Sequence, residues 1–170
     1  HDAQDWMLIM KCLGLDVGSL YTKAVVTEGD ALVVSRVIET TGNIAGEAVA
    51  LVEAVLSAAG VSRGDLGGIG ITGRGADLVV MDGARRDDVS CLSLAVGRLV
   101  PEASLVLDVG GQSVTSILLD DDGCVVDFMR NDKCASGSGK FLTVMGAALG
   151  YAVEELDEVA ARSRNRVPVS

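Results

Sequence analysis

The fold is decided by the stretch Leu13-Gly14-Leu15-Asp16-Val17-Gly18-Ser19, whose pattern recurs ninety-two positions later as Leu105-Val106-Leu107-Asp108-Val109-Gly110-Gly111. Each copy continues into a second apolar run, a polar turn and a third apolar run. Glycine after an acidic strand end allows a tight turn and lets a phosphate approach the backbone amides. The repeat therefore predicts two strand–turn–strand units that hold a phosphate from two sides.

The rest of the pattern predicts an α/β chain with two lobes. For the first lobe, residues 10–103, we expect four strands and two helices: Leu13–Asp16, Leu20–Val26, Ala31–Ile38, Leu66–Thr72, and helices Ile44–Ala59 and Val89–Leu99. For residues 104–170 we expect three strands and two helices: Leu105–Asp108, Ile117–Leu119, Cys124–Met129, and helices Ser138–Leu149 and Val153–Arg162. Because the second series stops after its helices, we expect the chain to be a fragment.

The composition and charge of the chain argue against several kinds of partner and cellular location. The net charge is −10 and Lys and Arg are not clustered, which argues against nucleic acid and anionic membranes as partners. No apolar run reaches the roughly 18 residues of a spanning helix, and Trp6–Met10 is bracketed too closely by charges to be a signal peptide. We therefore expect a cytoplasmic protein. We also expect Met10 to be the natural start, so that the single histidine, His1, plays no part in the chemistry.

The four cysteines show no Cys-x-x-Cys spacing, and without a secretory signal we do not expect disulfides. For Cys12, Cys91 and Cys124 the expected role is that of a buried small hydrophobic residue.

The first turn offers candidate ligands for a phosphate and a metal ion. Asp16 would hold Mg²⁺, Gly18 would let backbone amides approach the phosphate, and Ser19 and Thr22 would offer hydroxyl groups. Lys23 either neutralises phosphate charge or is simply solvated. Taken alone, this turn is better explained by ordinary hairpin chemistry.

The second copy favours the functional interpretation. Asp108 stands at the corresponding strand end, and Gly110 and Gly111 let the backbone come close to a ligand. Gln112 would orient an attacking water without taking its proton, which suits hydrolysis of a phosphoanhydride. The alternative for Gln112 is a polar residue at the start of a strand.

Cys134 lies in a loop of small residues just before a predicted helix. A helix N-terminus favours the thiolate, and the small neighbours leave room for an iron–sulfur cluster. One cysteine cannot hold a cluster, so a partner subunit or further sequence would have to contribute. The alternative is a free loop cysteine.

Three segments together, Asp16–Lys23, Gly110–Gln112 and Asn131–Gly139, resemble the ATPase activators of 2-hydroxyacyl-CoA dehydratases, a family that includes the ATP-binding subunits of benzoyl-CoA reductase. The resemblance covers Cys12 to Val169. It implies the ribonuclease-H-like fold of actin, sugar kinases and heat-shock chaperones, here with one complete lobe and a partial second lobe.

The resemblance also implies a function. ATP binding and hydrolysis with Mg²⁺ would drive transfer of a low-potential electron from ferredoxin or flavodoxin to the dehydratase or reductase. A homodimer would share one [4Fe–4S] cluster, held by two cysteines from each subunit, of which Cys134 matches the first. The helix after Cys134 would point its positive end at the cluster.

The sequence departs from the family in one motif. The family usually continues Gly-Gly-Gln with Asp-Ser-Lys, whereas Ser113-Val114-Thr115 stand here, without a carboxylate and a cation near the phosphates. The second cluster cysteine and the adenosine-binding glycines are expected beyond Ser170, so this chain alone would be inactive. Two other functions stay open: a small-molecule kinase of the same superfamily and a non-catalytic nucleotide-sensing module.

Overall fold

The computed structural model describes residues 10–131 and 138–165, which form two β-sheets with helices packed on them. The first sheet has five strands in the order β3-β2-β1-β4-β5. Their bounds are β1 Lys11–Val17, β2 Tyr21–Glu28, β3 Ala31–Glu39, β4 Gly68–Thr72 and β5 Ala84–Arg85. The first three strands form an antiparallel meander, whereas β4 and β5 run parallel to β1. The carboxyl ends of β1 and β4 therefore meet at the same edge of the sheet.

One face of the first sheet carries the main core. Helix α1, Ile44–Ala59, packs on this face and ends at Gly60, as the sequence predicts. Alternation along β1 places Leu13, Leu15 and Val17 in the core. The other face of the same strand carries the glycine and the carboxylate of the repeated motif, which are thus turned away from α1.

The second sheet has three strands, β6 Leu105–Val109, β7 Val114–Leu119 and β8 Val125–Asn131, in the order β6-β7-β8. Helix α2, Asp88–Leu99, packs on it through Val89, which contacts the buried residues Ile117 and Leu119. Asp87 caps this helix by accepting a 2.8 Å hydrogen bond from the amide of Ser90.

The repeat seen in the sequence is present in the backbone. Both hairpins interrupt their pairing register at equivalent places, between Val26 and Thr27 in the first copy and between Leu118 and Leu119 in the second. These positions are ninety-two residues apart, as are the two copies of the motif. The two units therefore share strand order, direction and irregularity.

Helix α3, Gly139–Leu149, follows the second sheet and ends at Gly150, close to its predicted bounds. The segment predicted as one helix from Val153 to Arg162 is instead a 3₁₀ turn, Val153–Glu155, followed by the short helix α4, Leu156–Ala161. The carboxylate of Glu155 accepts a hydrogen bond from the amide of Ala152 and fixes the start of this turn. Within the described residues, no helix is both long and apolar enough to cross a bilayer.

One expectation about burial is wrong, and one short strand is not predicted by the sequence. Cys124 is exposed rather than buried, because it belongs to the hairpin turn, where its amide donates to Asp120. Cys12 and Cys91 are half-buried. The polar stretch from Asp82 to Asp88 contains β5, whose two residues are held by backbone pairing with β4 rather than by apolar side chains.

Candidate functional site

A cleft of about 570 Å³ lies where the two copies of the motif face each other. Its polar end is formed by residues of both turns: Asp16, Gly18, Ser19, Lys23, Asp108, Gly110, Gly111 and Ser113. Its floor is formed by small and apolar residues of the first sheet and of α2: Gly14, Val25, Gly70, Ala84, Cys91, Leu92 and Ala95. The structure thus brings together most of the residues that the repeat singled out.

The two turns have the same internal hydrogen bond. The amide of Gly18 donates to the carbonyl of Tyr21 at 3.1 Å, and the amide of Gly110 donates to the carbonyl of Ser113 at 2.8 Å. The two turns also touch, because the backbone of Gly111 lies against Ser19 and Leu20.

The first turn itself requires glycine at Gly18, and the contact between the two turns requires glycine at Gly111. A Cβ on Gly18 would lie 2.5 Å from the carbonyl oxygen of Tyr21, and a Cβ on Gly111 would lie 2.6 Å from Cγ of Leu20. Without side chains here, the backbone of both turns stays open to a ligand in the cleft. Such a cradle suits a polyphosphate, whose oxygens accept hydrogen bonds from backbone amides.

Asp16 lies at the end of β1 and points into the cleft. One of its carboxylate oxygens, Oδ2, accepts a 2.7 Å hydrogen bond from Nζ of Lys23, which is its cross-strand partner on β2. Both side chains are partly exposed, at 37% for Asp16 and 45% for Lys23. The ion pair therefore adds little stability, and the carboxylate stays accessible to a metal ion.

Asp108 occupies the corresponding position on β6. Burial raises the pKa of this carboxyl above its usual range, and the negative charge of Asp88 raises it further. The positive charge of Lys23 acts in the opposite direction. A divalent cation between Asp16 and Asp108 would relieve this unfavourable burial of negative charge.

The donor set fits magnesium better than a metal held by protein alone. Within residues 10–131 and 138–165 no cluster of three or more acidic, cysteine or histidine side chains has an arrangement that could hold a metal ion. Mg²⁺ usually binds one or two carboxylates together with substrate phosphates and waters. Asp16 and Asp108 beside a phosphate cradle meet that requirement.

A cation that the sequence does not reveal stands close to the second turn. Arg130 on β8 is the register partner of Thr115, and its Nε donates to Oγ1 of Thr115 at 3.0 Å. Its Nη2 donates to Oδ1 of Asp88 at 2.6 Å. A guanidinium therefore lies beside Thr115, where it is engaged by Asp88, and neither Thr115 nor Arg130 lines the cleft.

Helix α3 begins directly on the second turn. The amides of Gly139 and Lys140 donate to the carbonyls of Gly110 and Gly111, both at 2.9 Å. The N-terminal end of this helix is therefore bound to the phosphate cradle, with Ser138 completely buried at the junction.

Two predicted ligands do not line the cleft, and a third lies outside the described residues. Thr22 is 1% exposed and its hydroxyl is hydrogen bonded to that of Thr40, because alternation on β2 turns Thr22 to the core face and Lys23 to the cleft. Gln112 is exposed on the second turn. Cys134 belongs to residues 132–137, which the structure does not describe.

The residues that sequence reasoning missed come from β4. Thr72 is the register partner of Asp16, and Gly73 follows it at the edge where β1 and β4 end together. The available signal is the short apolar strand ending in Thr-Gly, but only the parallel pairing with β1 places it in the cleft. Gly73 has a φ of +94°, and a Cβ there would lie 2.5 Å from Oδ1 of Asp16 and 2.5 Å from the carbonyl oxygen of Val17.

We expect Gly73→Ala to lower the free energy of unfolding by about 3 kcal/mol or more. The cost of a left-handed backbone at alanine and the cost of the steric conflict with Asp16 and Val17 add to each other. Gly60→Ala is the matched control, because Gly60 has a φ of +62° but a Cβ added there would meet nothing within 4 Å, so only the strain of about 1 kcal/mol remains. Urea unfolding of both variants measures the difference. Equal losses would contradict the close approach of Gly73 to Asp16.

Residues 13–170 match the profile of the BadF/BadG/BcrA/BcrD ATPase family. The chain is 32% identical over 162 residues to the 2-hydroxyisocaproyl-CoA dehydratase activator of Clostridioides difficile, covering 95% of this chain and 60% of that protein. A structure of the Clostridium difficile activator of 2-hydroxyisocaproyl-CoA dehydratase with bound ADPNP superimposes with a TM-score of 0.85 at 31% identity, covering 95% of this chain and 60% of that one. The chain thus spans about three fifths of the length of these activators.

A more distant likeness concerns the fold alone. The ROK hexokinase of Thermus thermophilus superimposes with a TM-score of 0.55 at 18% identity, covering 91% of this chain and 70% of that one. The predicted α/β fold of the actin and sugar-kinase type is confirmed by this likeness and by the activator structure. The chain belongs to the BadF/BadG/BcrA/BcrD ATPase family.

Proposed function

We propose that this protein is part of an ATP-dependent activator that passes a low-potential electron to a 2-hydroxyacyl-CoA dehydratase or to a benzoyl-CoA reductase. Relatives of this chain carry the names of dehydratase activators, and one of their structures contains ADPNP. The cleft of this chain supports the same ligand class, because two glycine turns and two carboxylates line it.

Different residues of the cleft would bind the phosphates, the metal ion and the attacking water. The backbone at Gly18, Ser19, Gly110 and Gly111 would cradle the phosphates of ATP or ADP, and Lys23 would balance their charge. Asp16 and Asp108 would bind Mg²⁺ directly or through its waters. Gln112 would turn from its exposed position to orient the attacking water.

The observation that carries the proposal is the attachment of α3 to the second glycine turn. Since the amides of Gly139 and Lys140 are bonded to the carbonyls of Gly110 and Gly111, any shift of this turn moves the start of the helix. Cys134 precedes that helix by a few residues in the sequence. The phosphate cradle and the cysteine segment are therefore linked through one short stretch of backbone.

We further propose that Cys134 helps to hold a [4Fe–4S] cluster shared across a homodimer, which would accept the electron from ferredoxin or flavodoxin in the cytoplasm. When bound, such a cluster stores one electron at low potential. What supports Cys134 is the resemblance of the segment Asn131–Gly139 to the activators. Within the described residues, Cys12, Cys91 and Cys124 belong to no group of three or more side chains that could hold a metal ion.

Anaerobic purification followed by iron analysis and a visible spectrum tests the proposal. We expect a brown protein whose reduced form transfers electrons to an acyl-CoA dehydratase only while ATP is hydrolysed. A reconstituted full-length protein without iron or visible absorption would exclude the electron-transfer role. Release of ADP that depends on a small-molecule acceptor would instead indicate a kinase, and tight ATP binding without turnover would indicate a nucleotide sensor.

A further inference from the structure

The cleft contains a second polar corner, on the wall formed by the first sheet. Oγ1 of Thr72 is buried and has no hydrogen-bond partner within the described part of the chain. A buried hydroxyl without a partner is costly, and such groups are rare in folded proteins. Although this one atom is buried, Thr72 is among the residues that line the cleft, and it lies next to Asp16 of the neighbouring strand.

Arg86 reaches the same corner. Its amide donates to the carbonyl of Ile71 at 3.1 Å, which fixes its backbone beside Thr72, and the residue lines the cleft. The neighbouring acidic residues are already engaged, Asp87 as the cap of α2 and Asp88 with Arg130. Among residues 10–131 and 138–165, the guanidinium of Arg86 has no hydrogen-bond or ion-pair partner.

A buried hydroxyl without a partner and an exposed guanidinium without a protein partner, both on residues that line the cleft, favour an anionic acceptor. Rotation of a threonine side chain between staggered χ1 wells exchanges the places of Oγ1 and Cγ2, and such a rotation would bring the hydroxyl of Thr72 to the cleft. A tetrahedral oxyanion then accepts from both groups, and charge-assisted hydrogen bonds of this kind are the strong ones.

We propose that Thr72 and Arg86 form a subsite for inorganic phosphate, the product of ATP hydrolysis; the source of the phosphate rests on the function proposed above. Attack of water breaks the bond between the terminal phosphorus and the bridging oxygen of ADP. The water oxygen stays with the phosphate and one proton goes to the solvent. The subsite lies on the Asp16 side of the cleft and receives the phosphate as it leaves the two glycine turns.

Calorimetric titration of inorganic phosphate into the full-length protein, with and without saturating MgADP, tests the subsite in Thr72→Val, Arg86→Ala and Arg86→Lys. We expect phosphate affinity to fall at least about tenfold in Thr72→Val and Arg86→Ala, with partial recovery in Arg86→Lys. MgADP affinity should change less than twofold. The matched controls are Thr27→Val, on β2 of the same sheet, and Arg36→Ala, an exposed arginine of β3, neither of which lines the cleft.

Thr72→Val gives a second readout, since valine has the shape of threonine without the unsatisfied hydroxyl. We expect this variant to melt at or above the temperature of the unchanged protein, so that lost phosphate binding cannot be ascribed to unfolding. Phosphate affinity equal in all variants, absent from the unchanged protein, or reduced only in parallel with MgADP affinity would overturn the subsite. Phosphate binding that depends on both residues in a protein unable to bind MgADP would keep the subsite and exclude the ATPase.

Discussion

Asp16→Asn in the full-length protein is expected to lower the rate of ATP hydrolysis by about two to three orders of magnitude while the protein stays folded. Asparagine keeps the shape of the side chain but removes the charge that would bind Mg²⁺ beside the first glycine turn. Because the ion pair with Lys23 is partly exposed, its loss costs little stability. Steady-state ATPase assays over a range of Mg²⁺ concentrations measure the effect, which higher Mg²⁺ should partly reverse.

Asp30→Asn is the control for this prediction. Asp30 also forms an ion pair with a basic residue, Arg98, but it is 68% exposed and lies outside the cleft. We expect this variant to hydrolyse ATP at the unchanged rate. An Asp16→Asn protein that retains full activity and the same Mg²⁺ dependence would remove Asp16 from the catalytic site.

Cys134→Ser is expected to abolish iron binding and electron transfer while leaving nucleotide affinity within about twofold. A serine hydroxyl is a poor ligand for a [4Fe–4S] cluster, which is held by thiolates, so the cluster should be lost from the dimer. The glycine turns and carboxylates do not depend on the cysteine. Iron content, visible absorption and MgADP titration of the anaerobic protein therefore separate the two functions.

Cys124→Ser serves as the control, because Cys124 is an exposed turn cysteine and should keep both iron and nucleotide binding. Equal iron content in the two variants would show that Cys134 is not a ligand. This prediction rests on the sequence around Cys134.

The sequence predicts the six strands of the two repeated units well, because their apolar runs are interrupted by glycine and aspartate turns. It also places the ends of α1 and α3, where Gly60 and Gly150 stop the helical pattern. It fails at β5, a two-residue strand formed by pairing with β4, and at the segment after Val153, which begins as a 3₁₀ turn instead of an α-helix.

Some residues of the candidate site can likewise be predicted from the sequence, and others cannot. Asp16, Lys23 and Asp108 follow from the repeat, and the structure places all three in the cleft. Because Thr22 is near Asp16 in the sequence, we expect its hydroxyl to lie beside the phosphates. Strand alternation instead turns Thr22 to the core.

Other members of the site could not be predicted from the repeat. Thr72 comes to Asp16 only through the parallel pairing of β4 with β1, and Arg130 comes to Thr115 only through the register of β7 and β8. These contacts join residues that are distant in sequence, and no local pattern encodes them.

The placement of α2 has a consequence for motion between the two halves. The helix is packed on the second sheet through Val89, whereas a cavity separates Cys91 from Gly14 and Gly70 of the first sheet. If the sheets rotate toward each other, α2 moves as a rigid body with the second sheet, and the chain must bend just before Asp88. Because Gly14 and Gly70 carry no side chains, they leave open the space into which α2 would then move.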